Sequence, residues 1–255
     1  MGADAQVVGA IEGLGVSQAV RDQLVSFVSQ LIAYYEKELV SVIAFGSVVT
    51  GDYDDAASDV NLLVVCAELR IPDLERVAET SRRLLRARRF APRFLSRQNV
   101  EESAAYFPID MLSMRDAHRV LWGEDVLASF EPRPAALRWQ IGYEVKAMRM
   151  RLKQQFWRTA DDPRVMRGVL VNRATSLIHL MRALLVLRGR PAPLGRHDVV
   201  VAAVDALGID RAVADRLLAL RKGGDPPDRA TLVALFEGLL EMIRVVDARL
   251  DETPA

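Results

Sequence analysis

The sequence contains little cysteine, lysine or histidine, and the cysteine and histidine content excludes particular kinds of site. Cys66 is the single cysteine in 255 residues, which excludes intrachain disulfides and cysteine-rich metal sites. Only three histidines occur, and no two lie at metal-ligand spacing. Lysine is equally scarce, with four residues, so arginine supplies most of the positive charge. The 34 basic and 34 acidic residues cancel, so no net charge attracts the chain to nucleic acid or acidic lipid.

Long apolar runs are also absent. The longest, residues 177–187, is interrupted by His179 and Arg182, and the N-terminus lacks the basic start and apolar stretch of a secretory signal. We therefore expect no membrane association and a cytoplasmic protein. Hydrophobic residues make up 51% of the chain and charged residues 27%, enough apolar side chain for packed cores. A chain of this length is typical of two modest domains.

The first half of the chain mixes helical and strand patterns. Apolar residues at helical spacing predict a helix over residues 17–37, and Pro72 opens a second helix that continues to about residue 88. Short apolar runs bounded by turn residues predict strands at 41–45, 60–66, 90–95 and 108–114.

The second half is helical throughout, and the texture changes near residue 131. Helical periodicity covers residues 134–158, 164–188, 198–207, 210–222 and 228–251. The expected fold class is therefore α+β. A mixed β-sheet flanked by helices should occupy residues 1–131, and an all-α helical bundle should occupy residues 132–255.

The residues that carry chemistry lie around the first two predicted strands. The first strand ends in Gly46 and Ser47, and Asp59 stands at the mouth of the second. Glycine lets a ligand approach the backbone closely, while a helix start and a serine hydroxyl can donate hydrogen bonds to phosphate. Residues two apart in a strand share a face, so Asp59 and Asn61 project together, and Asp110 joins them if its strand lies alongside. Such oxygen ligands suit Mg²⁺ accompanied by substrate phosphates.

This layout resembles the DNA polymerase beta-like nucleotidyltransferase superfamily. The family signature is an apolar residue before Gly-Ser, a gap of about nine to thirteen residues, Asp-x-Asp or Asp-x-Glu on a strand, and a later carboxylate. Phe45-Gly46-Ser47, an interval of eleven residues and Asp59-Val60-Asn61 follow that order. The helical half is similar to that of kanamycin-type nucleotidyltransferases or of HEPN modules.

The resemblance implies a group-transfer reaction. Gly46 and Ser47 would bind the β- and γ-phosphates of an NTP, and Asp59, Asn61 and Asp110 would ligate Mg²⁺ or Mn²⁺. Asp59 and Asp110 would be the catalytic residues, with Asp110 beside the acceptor hydroxyl as metal ligand or general base. A nucleoside monophosphate would pass to an unidentified acceptor. The expected partners are thus a nucleotide and an acceptor. Nucleic acid is possible as a partner but is not indicated by the sequence, and an oligomer is possible as well.

Two departures from the family pattern keep another function open. Asn61 stands where active members carry a second acid, and a neutral amide oxygen bridges two cations poorly. Thr50 precedes Gly51 where many members have an arginine, which removes one cation from the triphosphate cradle. The alternative is a catalytically degenerate nucleotide-binding or antitoxin-like module.

Other candidate residues have structural interpretations. Asp110 could pair with one of the arginines clustered over residues 82–97, and that cluster itself favours a solvated surface. Arg173 and His179 have the Arg-x5-His spacing of HEPN ribonucleases. Six helical positions separate their side chains by about 240°, so we interpret His179 as facing the core.

Overall fold

A computed structural model of the chain describes residues 3–54, 58–81 and 90–253. These residues form two compact units, which divide in sequence between Glu131 and Pro132. The first unit combines a β-sheet with helices, and the second is helical. Both parts of the expected α+β fold class are confirmed.

The first unit alternates helices and strands. Its helices are α1 (Ala3–Ile11), α2 (Gln18–Tyr35), α3 (Ser47–Thr50), α4 (Ile71–Thr80), α5 (Arg97–Tyr106) and α6 (Pro108–Asp116). Its strands are β1 (Leu39–Phe45), β2 (Val60–Cys66), β3 (Phe90–Ser96) and β4 (His118–Gly123).

These strands form one sheet in the order β3-β2-β1-β4. β1 is antiparallel to both β2 and β4, whereas β2 and β3 are parallel. At the end where β1 finishes, Phe45 lies opposite Asn61, and Asn61 lies beside Ala91 of β3. The register therefore places the predicted site residues of two strands at one end of the sheet.

Both faces of the central strands are buried. Val42 and Leu62 on one face pack into a core that includes Phe27 of α2, and Ile43 and Leu63 on the other face are also fully buried. This burial explains why β1 and β2 are almost continuously apolar rather than alternating. The sheet is thus a firm support for whatever its ends carry.

The second unit consists of α7 (Pro134–Thr159), α8 (Pro163–Leu187), α9 (Arg196–Leu207), α10 (Arg211–Ala219) and α11 (Arg229–Asp251). Within the described ranges, α8 alone is long and apolar enough to cross a membrane by length and composition. Its most apolar window is 56% buried by the rest of the protein, and core helices commonly share that property.

Most of the predicted elements are confirmed, but one strand is wrong. Residues 108–114 belong to α6, because Pro108 occupies the first helical turn, where its fixed φ and missing N–H suit a helix. The fourth strand lies instead at 118–123. The helix predicted over 72–88 ends at Thr80, and residues 82–89 lie outside the described part of the chain.

Candidate nucleotide site at the end of β1

Gly46 makes the turn that ends β1. Its φ of 78° and ψ of −141° lie in a region that is almost restricted to glycine. Its N–H donates to the carbonyl of Ala117 at 2.9 Å, and its own carbonyl accepts from Val49 and Thr50 at 2.9 and 3.1 Å. Backbone hydrogen bonds on both sides therefore fix the turn. Because Gly46 has no side chain, space remains beside its backbone where another residue would carry a Cβ.

Ser47 is the first residue of the short helix α3. Val48, which is 1% exposed, anchors this helix in the core, while Ser47 is half-buried. The amides of Val49 and Thr50 already donate to Gly46, so among the described residues only the amides of Ser47 and Val48 lack a backbone acceptor in this short helix and can bind an anion or water. Gly51 ends the helix in the left-handed conformation, and the hydroxyl of Thr50 donates to Asp52 at 3.4 Å.

Asn61 lies directly beside Gly46. A Cβ placed on Gly46 would be 3.5 Å from Nδ2 of Asn61. Asp59 precedes β2, is exposed, and shares the face of Asn61 by strand alternation, since Val60 between them is fully buried. The structure thus brings Gly46, Asn61 and Asp59 to the same end of the sheet.

Asp110 reaches this end of the sheet from a helix rather than from a strand. It lies in the first turn of α6, and its Oδ1 is 3.5 Å from Nη1 of Arg93. Both side chains are about half exposed (48% and 54%). The Arg93 guanidinium carbon is 5.6 Å from the ring centroid of Phe45, the residue that precedes Gly46. The prediction that Asp110 could pair with an arginine is therefore confirmed, and Arg93 is that arginine.

Arg93 is a residue of this site that the sequence indicated only as part of the arginine cluster over residues 82–97. In β3 it is the third residue beyond the buried Phe90, so strand alternation puts it on the same sheet face as Ala91. The alternation of residues along the predicted strand was therefore a signal that could have identified Arg93 as a site residue. Ala91 lies beside Asn61, so at the position closest to Asn61 the neighbouring strand supplies a methyl group and no carboxylate.

These residues do not fit a pair of metal ions. Asn61 contributes a neutral oxygen, and the charge of Asp110 is already matched by Arg93. Among the described residues, no group of three or more His, Cys, Asp or Glu side chains is arranged to hold a metal ion. A single Mg²⁺ that arrives on nucleotide phosphates needs only one or two protein oxygens, which Asp59 and Asn61 would be able to supply.

Arg173 and His179 lie six residues apart on α8. Nε of Arg173 donates to Oε1 of Gln155 at 2.8 Å. His179 is exposed, so its placement in the core is wrong. Leu177, Ile178 and Leu180 are buried, and His179 occupies the solvent-facing position among them.

A polar cleft lies at the opposite end of the same sheet. Its volume is about 520 Å³, and it is lined by Tyr34, Tyr35, Glu38, Glu68, Arg70, Asp73 and Arg76. Asp73 accepts from Arg70 at 3.0 Å and from Tyr34 at 3.2 Å. The hydrogen bond from Arg70 lowers the pKa of Asp73 below its ordinary value. Close by, burial raises the pKa of the Tyr35 hydroxyl and raises that of the Cys66 thiol to about 11.

Comparisons with known proteins show the fold. No family model and no curated protein matches the chain. Among solved structures, it is similar to spectinomycin adenyltransferase AAD(9) from Enterococcus faecialis, crystallised with ATP and spectinomycin. The match has a TM-score of 0.55 and 14% sequence identity, and it covers 90% of this chain and 98% of the other. The chain therefore has the α+β fold of a nucleotidyltransferase with a helical C-terminal region.

Proposed function

We propose that this protein binds a nucleoside triphosphate at Gly46 and Ser47 and transfers its nucleoside monophosphate to an acceptor hydroxyl. The supporting observation is the juxtaposition of a positive-φ Gly46, Asn61 and Asp59 at one sheet end, in a fold shared with an adenyltransferase. The first unit, residues 1–131, would be the nucleotidyltransferase domain. The second, residues 132–255, would be its helical bundle domain.

The triphosphate would be bound by backbone and side-chain donors. The amides at the start of α3 and the Ser47 hydroxyl would donate to the β- and γ-phosphate oxygens. Arg93, whose guanidinium lies over the Phe45 ring, would supply positive charge at the same end of the sheet. This arginine would compensate in part for the cation that Thr50 fails to provide in the loop.

The proposed reaction is an in-line displacement at phosphorus. The acceptor oxygen would form a bond to the α-phosphorus while the bond from that phosphorus to the α,β-bridging oxygen breaks, and pyrophosphate would leave. The hydroxyl proton would pass to Asp110 or to water. Because displacements of this kind depend on positioning and charge, the contribution of the protein would be the fixed turn at Gly46 and the charges around it.

Mg²⁺ or Mn²⁺ is the cofactor that we propose, bound together with the nucleotide. Asp59 would be its charged protein ligand, with the Asn61 amide oxygen beside it, and Asp110 would contribute only when released from Arg93. When bound, the ion would neutralise charge on the triphosphate.

A second candidate function is nucleotide binding without turnover. It is favoured by Asn61 beside Gly46 and by the ion pair between Asp110 and Arg93, since both reduce the negative charge available for metal ions. In this alternative the protein would be a nucleotide sensor or an antitoxin-like module.

Calorimetric titration with ATP, GTP, CTP and UTP in Mg²⁺ tests the shared first step. We expect Ser47→Ala and Asp59→Asn each to weaken binding about tenfold, because each removes a hydrogen bond or charge at the phosphates. Ser26→Ala, at an exposed position of α2, and Asp215→Asn, at a half-buried position of α10 where the carboxylate pairs with Arg211, are the matched controls and should bind like the wild type. Absence of binding to all four nucleotides would contradict both candidate functions.

Turnover separates the two functions. The protein would be incubated with α-phosphate-labelled NTP and a panel of acceptors, including spectinomycin, other hydroxylated small molecules, proteins and RNA. Label transfer that is lost in Asp59→Asn supports the transferase. Nucleotide binding without transfer supports the binding module, and a gain of transfer in Asn61→Asp would then identify the missing acid as the cause.

A further inference from the structure

Helix α7 carries a face of large apolar side chains that nothing in the described structure covers. Trp139, Tyr143, Met150 and Trp157 are 67%, 53%, 63% and 82% exposed. At about 100° per residue, the four fall within an arc of about 40°, and they extend over about 27 Å of helix. We name these four residues the α7 stripe. The buried face of the same helix, which includes Ile141 and Leu152, is a separate surface.

The stripe begins with a flat aromatic surface. The rings of Trp139 and Tyr143 are stacked, with centroids 5.6 Å apart and planes inclined by 9°. Two of the three tryptophans in the chain belong to the stripe. Contiguous apolar patches of large rings are rarely exposed on soluble proteins, and such a patch indicates a binding surface.

Positive charge accompanies the stripe from residue 146 to its C-terminal end. Lys146 and Lys153, half of the lysines in the chain, lie about 20° and about 40° beyond one edge of this arc, and Arg149, Arg151 and Arg158 flank it more widely. Lys146 and Arg149 share Asp247, at 2.7 and 3.6 Å. Within the described ranges, the cations of Arg151, Lys153 and Arg158 have no acidic partner.

The positive charge of Arg151, Lys153 and Arg158 favours an anionic partner over a second copy of the chain. A second copy of the chain, docked stripe to stripe, would bring unpaired cations against cations, which is unfavourable. A partner that is anionic and presents flat rings would match both features. Single-stranded nucleic acid has this chemistry, since its bases stack on aromatic side chains and its phosphates pair with lysine and arginine.

We propose that the α7 stripe binds single-stranded nucleic acid. Bases stack on the Trp139–Tyr143 surface and on Trp157, and the backbone phosphates follow Lys153 and its flanking arginines. This surface belongs to the second unit alone and does not depend on the nucleotide site at Gly46.

The test is fluorescence anisotropy of a labelled 20-nucleotide oligo(U) and oligo(dT) with the full chain at 50 mM salt. We expect Trp157→Ala and the double variant Trp139→Ala/Tyr143→Ala each to weaken binding about tenfold or more, because each removes stacking on bases. Lys153→Gln should lower the slope of log affinity against log salt by about 0.7. Since these residues are exposed, the melting temperature should not change. Ile71→Ala, at an apolar residue 77% exposed in the first unit, is the matched control.

The remaining outcomes overturn the proposal. Absence of binding at 100 µM protein does so, as does equal affinity of wild type and the aromatic variants. Equal binding of a 20-base-pair duplex would show that charge alone attracts the nucleic acid and that stacking plays no part. Sedimentation that reveals a dimer abolished by Trp157→Ala, without nucleic-acid binding, would assign the stripe to self-association.

Discussion

The two ends of the sheet in the first unit differ in how their polar groups are satisfied. At the cleft end, the Asp73 carboxylate accepts hydrogen bonds from both Arg70 and Tyr34. At the Gly46 end, the exposed Asp59 carboxylate has no hydrogen bond or ion pair with any residue that the structure describes. Asp73 is therefore bound up in the fold, whereas Asp59 is available to a ligand.

The glycines at the two ends show the same contrast. A Cβ on Gly123, at the cleft end, would overlap the carbonyl oxygen of Val40. A Cβ on Gly46 would meet only the Asn61 amide at an ordinary contact distance of 3.5 Å. Both residues have positive φ, but only Gly123 is required by close packing. The space next to Gly46 is therefore not filled by the fold itself.

The largest expected effect is that of Gly123→Ala. The added methyl group would force the start of β1 away from β4, so we expect a loss of more than about 3 kcal/mol in the free energy of unfolding, measured by urea denaturation. Gly168→Ala is the control, because that helical glycine has open space around its Cβ position and should gain stability. A stable Gly123→Ala protein would refute the contrast between the two glycines.

Gly46→Ala should cost less stability but affect function more. Its backbone strain should lower the free energy of unfolding by about 2 to 3 kcal/mol. ATP affinity should fall at least tenfold in calorimetry, because the relaxed turn would move the amides of α3. Gly51→Ala, at the other end of α3 and also at positive φ, provides the comparison. Unchanged ATP affinity in Gly46→Ala would remove the turn from the nucleotide site.

The pH dependence of stability reports on the cleft end. Burial raises the pKa of the Cys66 thiol from about 9 to about 11, so the neutral thiol stabilises the folded state. This contribution is fully present below pH 9 and is lost as pH rises through 11, with a total of about 3 kcal/mol. Urea denaturation from pH 7 to 11.5 would measure it, and the loss attributable to Cys66 should disappear in Cys66→Ala. Rapid labelling of the folded protein by a thiol reagent at pH 8 would contradict the burial.

The smallest effect expected is that of Tyr34→Phe. Removing the hydroxyl deletes one hydrogen bond to Asp73 but leaves that from Arg70, so the free energy of unfolding should fall by about 1 kcal/mol. Nucleotide affinity should not change, because the lost bond lies at the far end of the sheet. A weakened ATP affinity would show that the two ends are coupled.

The sequence predicted the elements whose patterns have a single interpretation. β1 and β2 are uniformly apolar runs closed by turn residues, and the structure places them within two residues of the predicted bounds. Residues 108–114 have two interpretations, since their buried side chains satisfy a helical spacing as well as an approximate alternation. β4 was missed because its apolar run is only three residues long, Val120–Trp122, and most of the strand is half-buried.

Pairing between distant residues was the part that local patterns could not determine. Asp110 lies seventeen positions after Arg93, and only the packing of α6 against the sheet decides that the two meet. The Gly46–Asn61 contact was predictable in outline because two neighbouring strands carry both residues. The exposure of His179 was not predictable, because one polar residue on a mostly apolar helix does not show which side of the helix faces solvent.

The pairing of β1 with β4 has a consequence for how the protein is made. β1 finishes at Phe45, but its partner begins only at His118, and α1 packs against that same late strand. During synthesis on the ribosome, the apolar edge of β1 and the inner side of α1 remain uncovered until more than seventy further residues have emerged. The nascent chain is therefore exposed to aggregation through most of the synthesis of the first unit, and this is the interval in which a chaperone would matter most.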